Sequence, residues 1–252
     1  HDALGRVVGF SGRVLDDSLP KYVNTPETDV FRKGELLYAL DKARSVIRER
    51  GECIIVEGYM DVIALHQAGV GNAVAALGAT LTAEQAQILS RLDVQKVYLA
   101  FDSDAAGQKA VLAGLDQAVG RQFLVRAVQV PHGKDPADAV MSGHLDDFLG
   151  ALEGGLSEVE FRFGSALERF DERTVSGQKA ILEELLPALK PRGVFDPVAT
   201  EMRRLVIDRL GMDPQALDAL VRSSGSRRPR LDETQVRGTR RGDGIQDRAA
   251  AR

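Results

Sequence analysis

The chain has 252 residues, 44% of them hydrophobic and 28% charged, a globular composition with length for one large or two modest domains around a real core. Its formal net charge of −4 excludes nucleic-acid binding driven by overall charge, so any basic surface has to be local. With Cys53 as the sole cysteine, neither a disulfide framework nor a zinc site is expected, and no apolar run approaches a membrane span or a secretory leader. The expected setting is therefore reducing and cytoplasmic, with no membrane partner.

The chain begins with His1 and enters an apolar segment almost at once, as a piece cut from a longer protein would. Val7–Leu15 alternates with period 2 and holds two glycines, which suggests a bent strand or hairpin. The following stretch from Asp16 to Glu35 is too rich in turn residues for regular structure. Leu36–Arg50 predicts an amphipathic helix. From Cys53 the rhythm changes. "CIIVEG" reads as a buried strand and "YMDVIALHQAG" as a helix closed by Gly69. "NAVAAL" is a second strand. Thr82 with Gln85 three residues on forms a capping box for a helix through Leu92. "KVYLAF" is a third strand, Ala105–Val119 a helix and "FLVRAVQV" a fourth strand. Strands alternating with helices predict βαβ units and a mostly parallel sheet. After Pro131 the strand signal fades and helices are expected over Leu145–Leu152, Glu158–Phe170, Gln178–Leu189, Val198–Leu210 and Pro214–Val221. From Ser223 onward few apolar residues and no periodicity remain, so a disordered linker or tail is expected.

The acids fall at strand ends. The first strand of the α/β unit ends in Glu57-Gly58 and the third in Asp102-Ser103-Asp104. In a parallel sheet both ends lie on one edge, the edge where open α/β sheets bind ligands. Asp61 is one helical turn past Glu57. After the fourth strand come Asp135, suited to cap a helix whose first residue is Pro136, and Asp138. Hard oxygen donors without His or Cys suit Mg²⁺ or Mn²⁺, and two such ions roughly 3.5–4 Å apart would form a phosphoryl-transfer site. Gly58 and Gly107 leave room for phosphate or metal at the backbone. The chain contains no G-x-x-x-x-G-K-[ST] phosphate loop.

"VEGYMDVIAL" followed 45 residues later by "DSDAAG" resembles the Toprim domain of primases, topoisomerases, nucleases and repair proteins, with its glutamate and D-x-D motifs. "RVVGFSGRVL", "PKYVNTPETDVFRKGELLYAL" and "GKDP" narrow the resemblance to the catalytic core of bacterial replicative DNA primase, over about residues 5–145. One departure stands out: the family often has D-P-D after the fourth strand, and here the sequence is Asp135-Pro136-Ala137-Asp138.

The resemblance implies an α/β fold: a Toprim parallel-sheet domain over 51–140, preceded by part of an α+β primase subdomain (1–50) and followed by a helical subdomain (141–222), with 223–252 as tail. It implies DNA-templated RNA primer synthesis with two Mg²⁺ (or Mn²⁺) ions held by Glu57, Asp102 and Asp104 and helped by Asp61 and Asp135. Glu57 is open to a role as ligand or as base. Arg13, Lys21, Tyr22, Asn24 and Lys33 become template- and nucleotide-contacting groups. By local charge alone their segment is nearly neutral, because Asp16, Asp17, Glu27 and Asp29 offset it. The implied partners are single-stranded DNA, NTPs, the RNA primer and, through a further C-terminal domain, a replicative helicase, with the chain itself a monomer. The alternatives are a Toprim nucleic-acid binding or repair scaffold without polymerase chemistry, and a Toprim nuclease. His66, His132 and His144 read as structural or solvated residues, Tyr59 as a packing residue and Cys53 as an inert core thiol.

Overall fold

The computed structural model describes residues 1–14, 19, 22–78, 80–118, 121 and 123–224. Its elements in chain order are β1 (Ser11–Arg13), β2 (Tyr22–Asn24), a 3₁₀ turn (Lys33–Glu35), α1 (Leu40–Arg50), β3 (Glu52–Val56), α2 (Tyr59–Gln67), β4 (Ala73–Ala75), α3 (Ala83–Ser90), β5 (Lys96–Leu99), α4 (Ala105–Gln117), β6 (Leu124–Ala127) and α5 (Pro136–Met141). There follow α6 (Leu145–Glu153), α7 (Glu158–Arg169), α8 (Val175–Leu189), α9 (Pro197–Leu210) and α10 (Pro214–Ser224). Among the described residues no helix is long and apolar enough to cross a membrane.

Short strands with apolar interiors are what a sheet covered on both faces requires. β3, β4, β5 and β6 form that sheet, all parallel, in the order β4-β3-β5-β6. Period-2 alternation sorts their side chains. Cys53, Ile55, Val97 and Leu99 pack with Ile47 of α1, Leu89 of α3 and Val111 and Leu115 of α4. Ile54, Val56, Tyr98 and Ala100 pack on the other face with Val62 and Leu65 of α2 and Phe148 and Leu152 of α6. The placement follows from connection handedness. The step from β3 to β4 and the return across β3 to β5 run in opposite directions, so right-handed crossovers put α2 and α3 on opposite faces.

The helices α7 to α10 close on a separate cluster that includes Val159, Phe163, Ile181, Leu185, Met202 and Leu217. Phe161 of α7 instead joins the sheet-face core. Next to it the buried Arg162 donates to Asp116 of α4 at 2.6 Å and to Glu158 at 2.9 Å. The helical part is thereby packed and ion-paired directly onto the α/β unit.

Several boundaries differ from the sequence expectation. The stretch expected to lack regular structure contributes β2, which pairs antiparallel with β1 in the register Ser11↔Asn24, and the 3₁₀ turn. Thr25 supports this hairpin by accepting the Phe10 N–H on its hydroxyl at 2.9 Å. The first helix starts at Leu40 rather than Leu36, because the Tyr38 N–H donates to Ala75 O at 2.9 Å on the edge strand β4 and Ala39 turns left-handed at φ 64°. α8 starts at Val175, three residues early, where Thr174 caps it by accepting the Gly177 N–H at 3.0 Å. α10 continues through Ser224, two residues into the expected tail; 225–252 lie outside the described residues.

The N-terminal segment is tied to the sheet domain by one fully buried amide. Gln85 of α3 closes the capping box with Thr82, and its Nε2 also lies 2.7 Å from Leu36 O, 2.8 Å from Ala76 O and 3.2 Å from Lys33 O. Replacing it strands buried carbonyls, each costing about 1–3 kcal/mol. Gln85→Leu is therefore expected to destabilise the chain by roughly 2–4 kcal/mol in urea melts despite its larger apolar surface; a melt unchanged from wild type contradicts the tie.

Candidate active site

β3 sits between β4 and β5, so the chain reverses its direction across the sheet between β3 and β5. Ligands bind outside the carboxyl ends of strands at such a reversal. Glu57 leaves β3 there and Asp102 leaves β5. The Asp102 N–H donates to Glu57 Oε1 at 3.2 Å and latches the two loops together.

Backbone donors set the remaining acids. Asp104 caps α4, one oxygen accepting the N–H groups of Ala106 at 2.8 Å and Gly107 at 2.9 Å. A Cβ on Gly107 would stand 1.9 Å from Asp102 O, so only glycine lets α4 start so close behind Asp102. The sequence expectation gave that space to a ligand; the structure fills it with the chain's own backbone. Asp135 caps α5, accepting the Asp138 N–H at 2.7 Å. The Ser103 N–H donates to Lys134 O at 2.9 Å and stitches the D-S-D loop to the G-K-D-P loop. Asp61 is buried, and each of its oxygens holds a backbone N–H: Gly58 at 3.1 Å and Ala137 at 3.2 Å. It braces α2 against α5. Asp138, exposed, accepts the Lys134 N–H at 3.4 Å.

None of Glu57, Asp61, Asp102, Asp104 or Asp135 forms an ion pair among the described residues. Burial, then the charges of Glu57, Asp61, Asp135 and Asp104, push the Asp102 carboxyl up to about 7. Burial and then Asp135 push Asp61 up to about 6. Burial raises Glu57 too, opposed by its bond from the Asp102 N–H and reinforced by Asp104 and Asp135. The acids are spread: among the described residues no three of them bring oxygens within 4.8 Å of one another. Such an open, all-oxygen donor set fits hard divalent ions that keep waters and share substrate phosphates better than it fits a closed protein cage.

Glu57, Asp61, Asp102, Asp135 and Asp138 line one wall of a cleft of about 930 Å³, and Arg13, Tyr22 and Asn24 of the hairpin line the other; Asp104, engaged in capping α4, is not among the lining residues. The Arg13 guanidinium lies over the Tyr22 ring, 5.5 Å from its centroid. Tyr59, read from sequence as a packing residue, links the two walls. Its hydroxyl lies 2.5 Å from Asn24 Oδ1 and 2.6 Å from Ser11 Oγ, and its ring meets Tyr38 edge-on at 4.8 Å. The sequence offered only its place one residue after a strand-end glycine. Lys33 is not brought to the cleft: it lies in the 3₁₀ turn, its carbonyl facing Gln85. Lys21 lies outside the described residues. His66 bonds Ala73 O at 2.9 Å.

Residues 54–140 match the Toprim-like family, and residues 1–44 match the N-terminal domain of the DNA primase catalytic core. The class is thus a Toprim-like sheet domain preceded by a primase-core segment. The chain is 50% identical to the DNA primase of Deinococcus radiodurans over 251 residues, covering 100% of itself and 44% of that relative's length. A DNA primase domain from Pseudomonas aeruginosa matches with a TM-score of 0.75 and 35% identity, over 88% of this chain and 70% of that one. A DnaG primase catalytic domain bound to single-stranded DNA matches with a TM-score of 0.73 and 34% identity, over 85% and 68%. The chain belongs to the DnaG-type DNA primase family.

The raised carboxyls fix a sign. A carboxyl whose folded pKa exceeds its unfolded value binds protons more tightly in the native state, so its contribution to stability falls as pH rises from about 4 through 7. Asp102→Asn is expected to stabilise the metal-free chain above pH 7 by about 1–2 kcal/mol, after discounting for a half-exposed group, and much less at pH 4.5. Equal melting temperatures for variant and wild type at both pH values would show that neither burial nor the neighbouring carboxylates raise the Asp102 carboxyl to that extent.

Proposed function

We propose that this chain is the catalytic core of an enzyme that makes RNA primers on a DNA template by nucleotidyl transfer from ribonucleoside triphosphates. The observation that carries the reading is the cleft that sets an acid wall on three loops opposite a hairpin wall of Arg13, Tyr22 and Asn24. The 3′-oxygen of the primer would bond to the α-phosphorus of the incoming nucleotide, breaking its bond to pyrophosphate, which departs. Divalent ions, Mg²⁺ or Mn²⁺ and two by the resemblance, would be held by Glu57, Asp102 and Asp104 with Asp135, and would supply acidification of the 3′-hydroxyl and charge neutralisation at the triphosphate.

The protein's own groups do the rest. Arg13 suits a phosphate, Tyr22 offers a ring face to a base, and Asn24 is fixed by Tyr59 and Ser11. Asp61 serves mainly to hold α2 and α5 in place, since both its oxygens carry backbone bonds. The related catalytic domain bound to single-stranded DNA supports a DNA template here. The nuclease and scaffold readings are less supported, because the segment that carries the hairpin wall matches the primase catalytic core and the relative aligned over the whole chain is a DNA primase. NTPs, the growing primer and a replicative helicase complete the proposed partners, with the core acting as a monomer.

The test grafts this chain in place of the matching 251 residues of the Deinococcus radiodurans primase and assays template-dependent ribonucleotide incorporation. The graft should make primers, and Asp102→Ala or Asp104→Ala should abolish synthesis while leaving the circular dichroism spectrum intact. Retention of wild-type synthesis by either variant, or cleavage in place of incorporation, rejects the reading. On the hairpin wall, Tyr22→Ala should weaken single-stranded DNA binding by about 1–3 kcal/mol, and Arg13→Ala should lower the salt slope of binding by about one unit.

A further inference from the structure

Outside the cleft, two histidines from different segments meet one carboxylate. His132 lies in the loop after β6, while His144 and Asp147 lie at the start of α6. His132 Nε2 is 3.3 Å and His144 Nδ1 is 3.1 Å from the same oxygen, Asp147 Oδ2, and all three ligand atoms lie within 4.8 Å of one another. Among the described residues this is the one trio of His, Cys, Asp or Glu ligand atoms so close. The rings stack with centroids 4.2 Å apart and 23° between planes, and each places one nitrogen against the same carboxylate oxygen.

We propose that His132, His144 and Asp147 form a second metal site, for a zinc-class transition cation, distinct from the carboxylate cleft and independent of the primase reading. Ligand bonds of about 2.0–2.1 Å at tetrahedral angles place neighbouring donor atoms about 3.3–3.4 Å apart. The two nitrogen–oxygen separations, 3.3 and 3.1 Å, lie close to that edge length, and a small rotation of the two exposed rings would turn their lone pairs toward a common point. Two imidazoles with one carboxylate select Zn²⁺, Ni²⁺ or Cu²⁺ over Mg²⁺. The absence of cysteine ligands, which made zinc unexpected from the sequence, does not bear on an imidazole site. The fourth position faces solvent, since the three side chains are 41–55% exposed, and water would fill it.

The position gives the site a consequence. His132 holds a left-handed backbone at φ 53°, and the next residues, Gly133 and Lys134, turn their carbonyls to the Ser103 hydroxyl and N–H. Asp135 follows. A cation bridging His132 to α6 would clamp the loop that positions both Asp135 and the D-S-D turn. The competing account is a hydrogen-bonded cap, in which the imidazoles share the Asp147 carboxylate at the start of α6 with no ion.

Titrating the chain with Zn²⁺ against a chromophoric chelator, with Mg²⁺ in large excess, separates the two. One equivalent should bind, and His144→Ala and His132→Asn should each weaken it at least about tenfold, as loss of a direct ligand costs no less than loss of its supporting partner. Asparagine tolerates the left-handed backbone, so the loop stays folded without the imidazole. Zn²⁺ should raise the melting temperature of wild type but of neither variant, and Co²⁺ should give visible ligand-field bands only in wild type. Asp102→Asn should bind Zn²⁺ like wild type. Equal affinity in the histidine variants, displacement by Mg²⁺, or loss of binding in Asp102→Asn would each overturn the site.

Discussion

Negative charge gathered at the carboxyl edge of a parallel sheet, with no cation of the described protein paired to it, is the constraint around which this molecule is arranged. Like charges in a partly buried crevice repel, and desolvation sharpens the repulsion. The fold meets this with backbone donors. The N–H groups of Asp102, Ala106, Gly107, Ala137, Gly58 and Asp138 each point at a carboxylate, and two of these interactions also join separate loops. Fixed dipoles orient the acids without neutralising them. Burial first, and then the neighbouring carboxylates, push the Asp102 carboxyl up to about 7, so the edge favours a proton or another cation.

The same logic explains why the N-terminal segment is bound so firmly. A hairpin free to drift would not hold Arg13 and Tyr22 opposite the acids. Two anchors prevent this: Gln85 gathers Lys33, Leu36 and Ala76 from inside the core, and Tyr59 grips Asn24 and Ser11 at the cleft. Tyr59 opens the helix that directly follows Glu57. The acid wall and the hairpin wall are therefore fixed by neighbouring residues of one turn.

What the sequence revealed depended on how local the determining physics is. The four parallel strands were legible from apolar runs bounded by glycine and acid, and the caps at Thr82 and Asp135 from side chains that bond three residues along the chain. β2 was not, because a three-residue strand with polar neighbours carries no periodic signal and exists only by pairing with β1. The start of α1 was misplaced for the same reason, since the helix pattern of Leu36–Ala39 yields to a backbone bond on a strand 37 residues away. That Glu57, Asp102 and Asp135 fall on one sheet edge and line one cleft could be placed from topology alone. The burial of Asp61 between two backbone donors could not, nor could the absence of Lys33 from the cleft, because both depend on how separate elements pack.

The displaced acid after Asp135 has a physical reading in the same terms. Pro136 and Ala137 are buried, and the Ala137 N–H is one of the two donors that hold Asp61. A carboxylate at position 137 would sit in that buried ground, beside a group whose own proton affinity burial already raises. Position 138 is exposed and lines the cleft, its N–H donating to the capping carboxylate of Asp135 while its side chain accepts the Lys134 N–H. Moving the second acid one place along the first turn of α5 rotates its charge by about 100°, out of the packed seam and onto the open wall. The total negative charge of the loop is kept, the brace through Asp61 is spared a buried repulsion, and Asp135 remains the acid of this loop whose charge raises both Asp102 and Asp61.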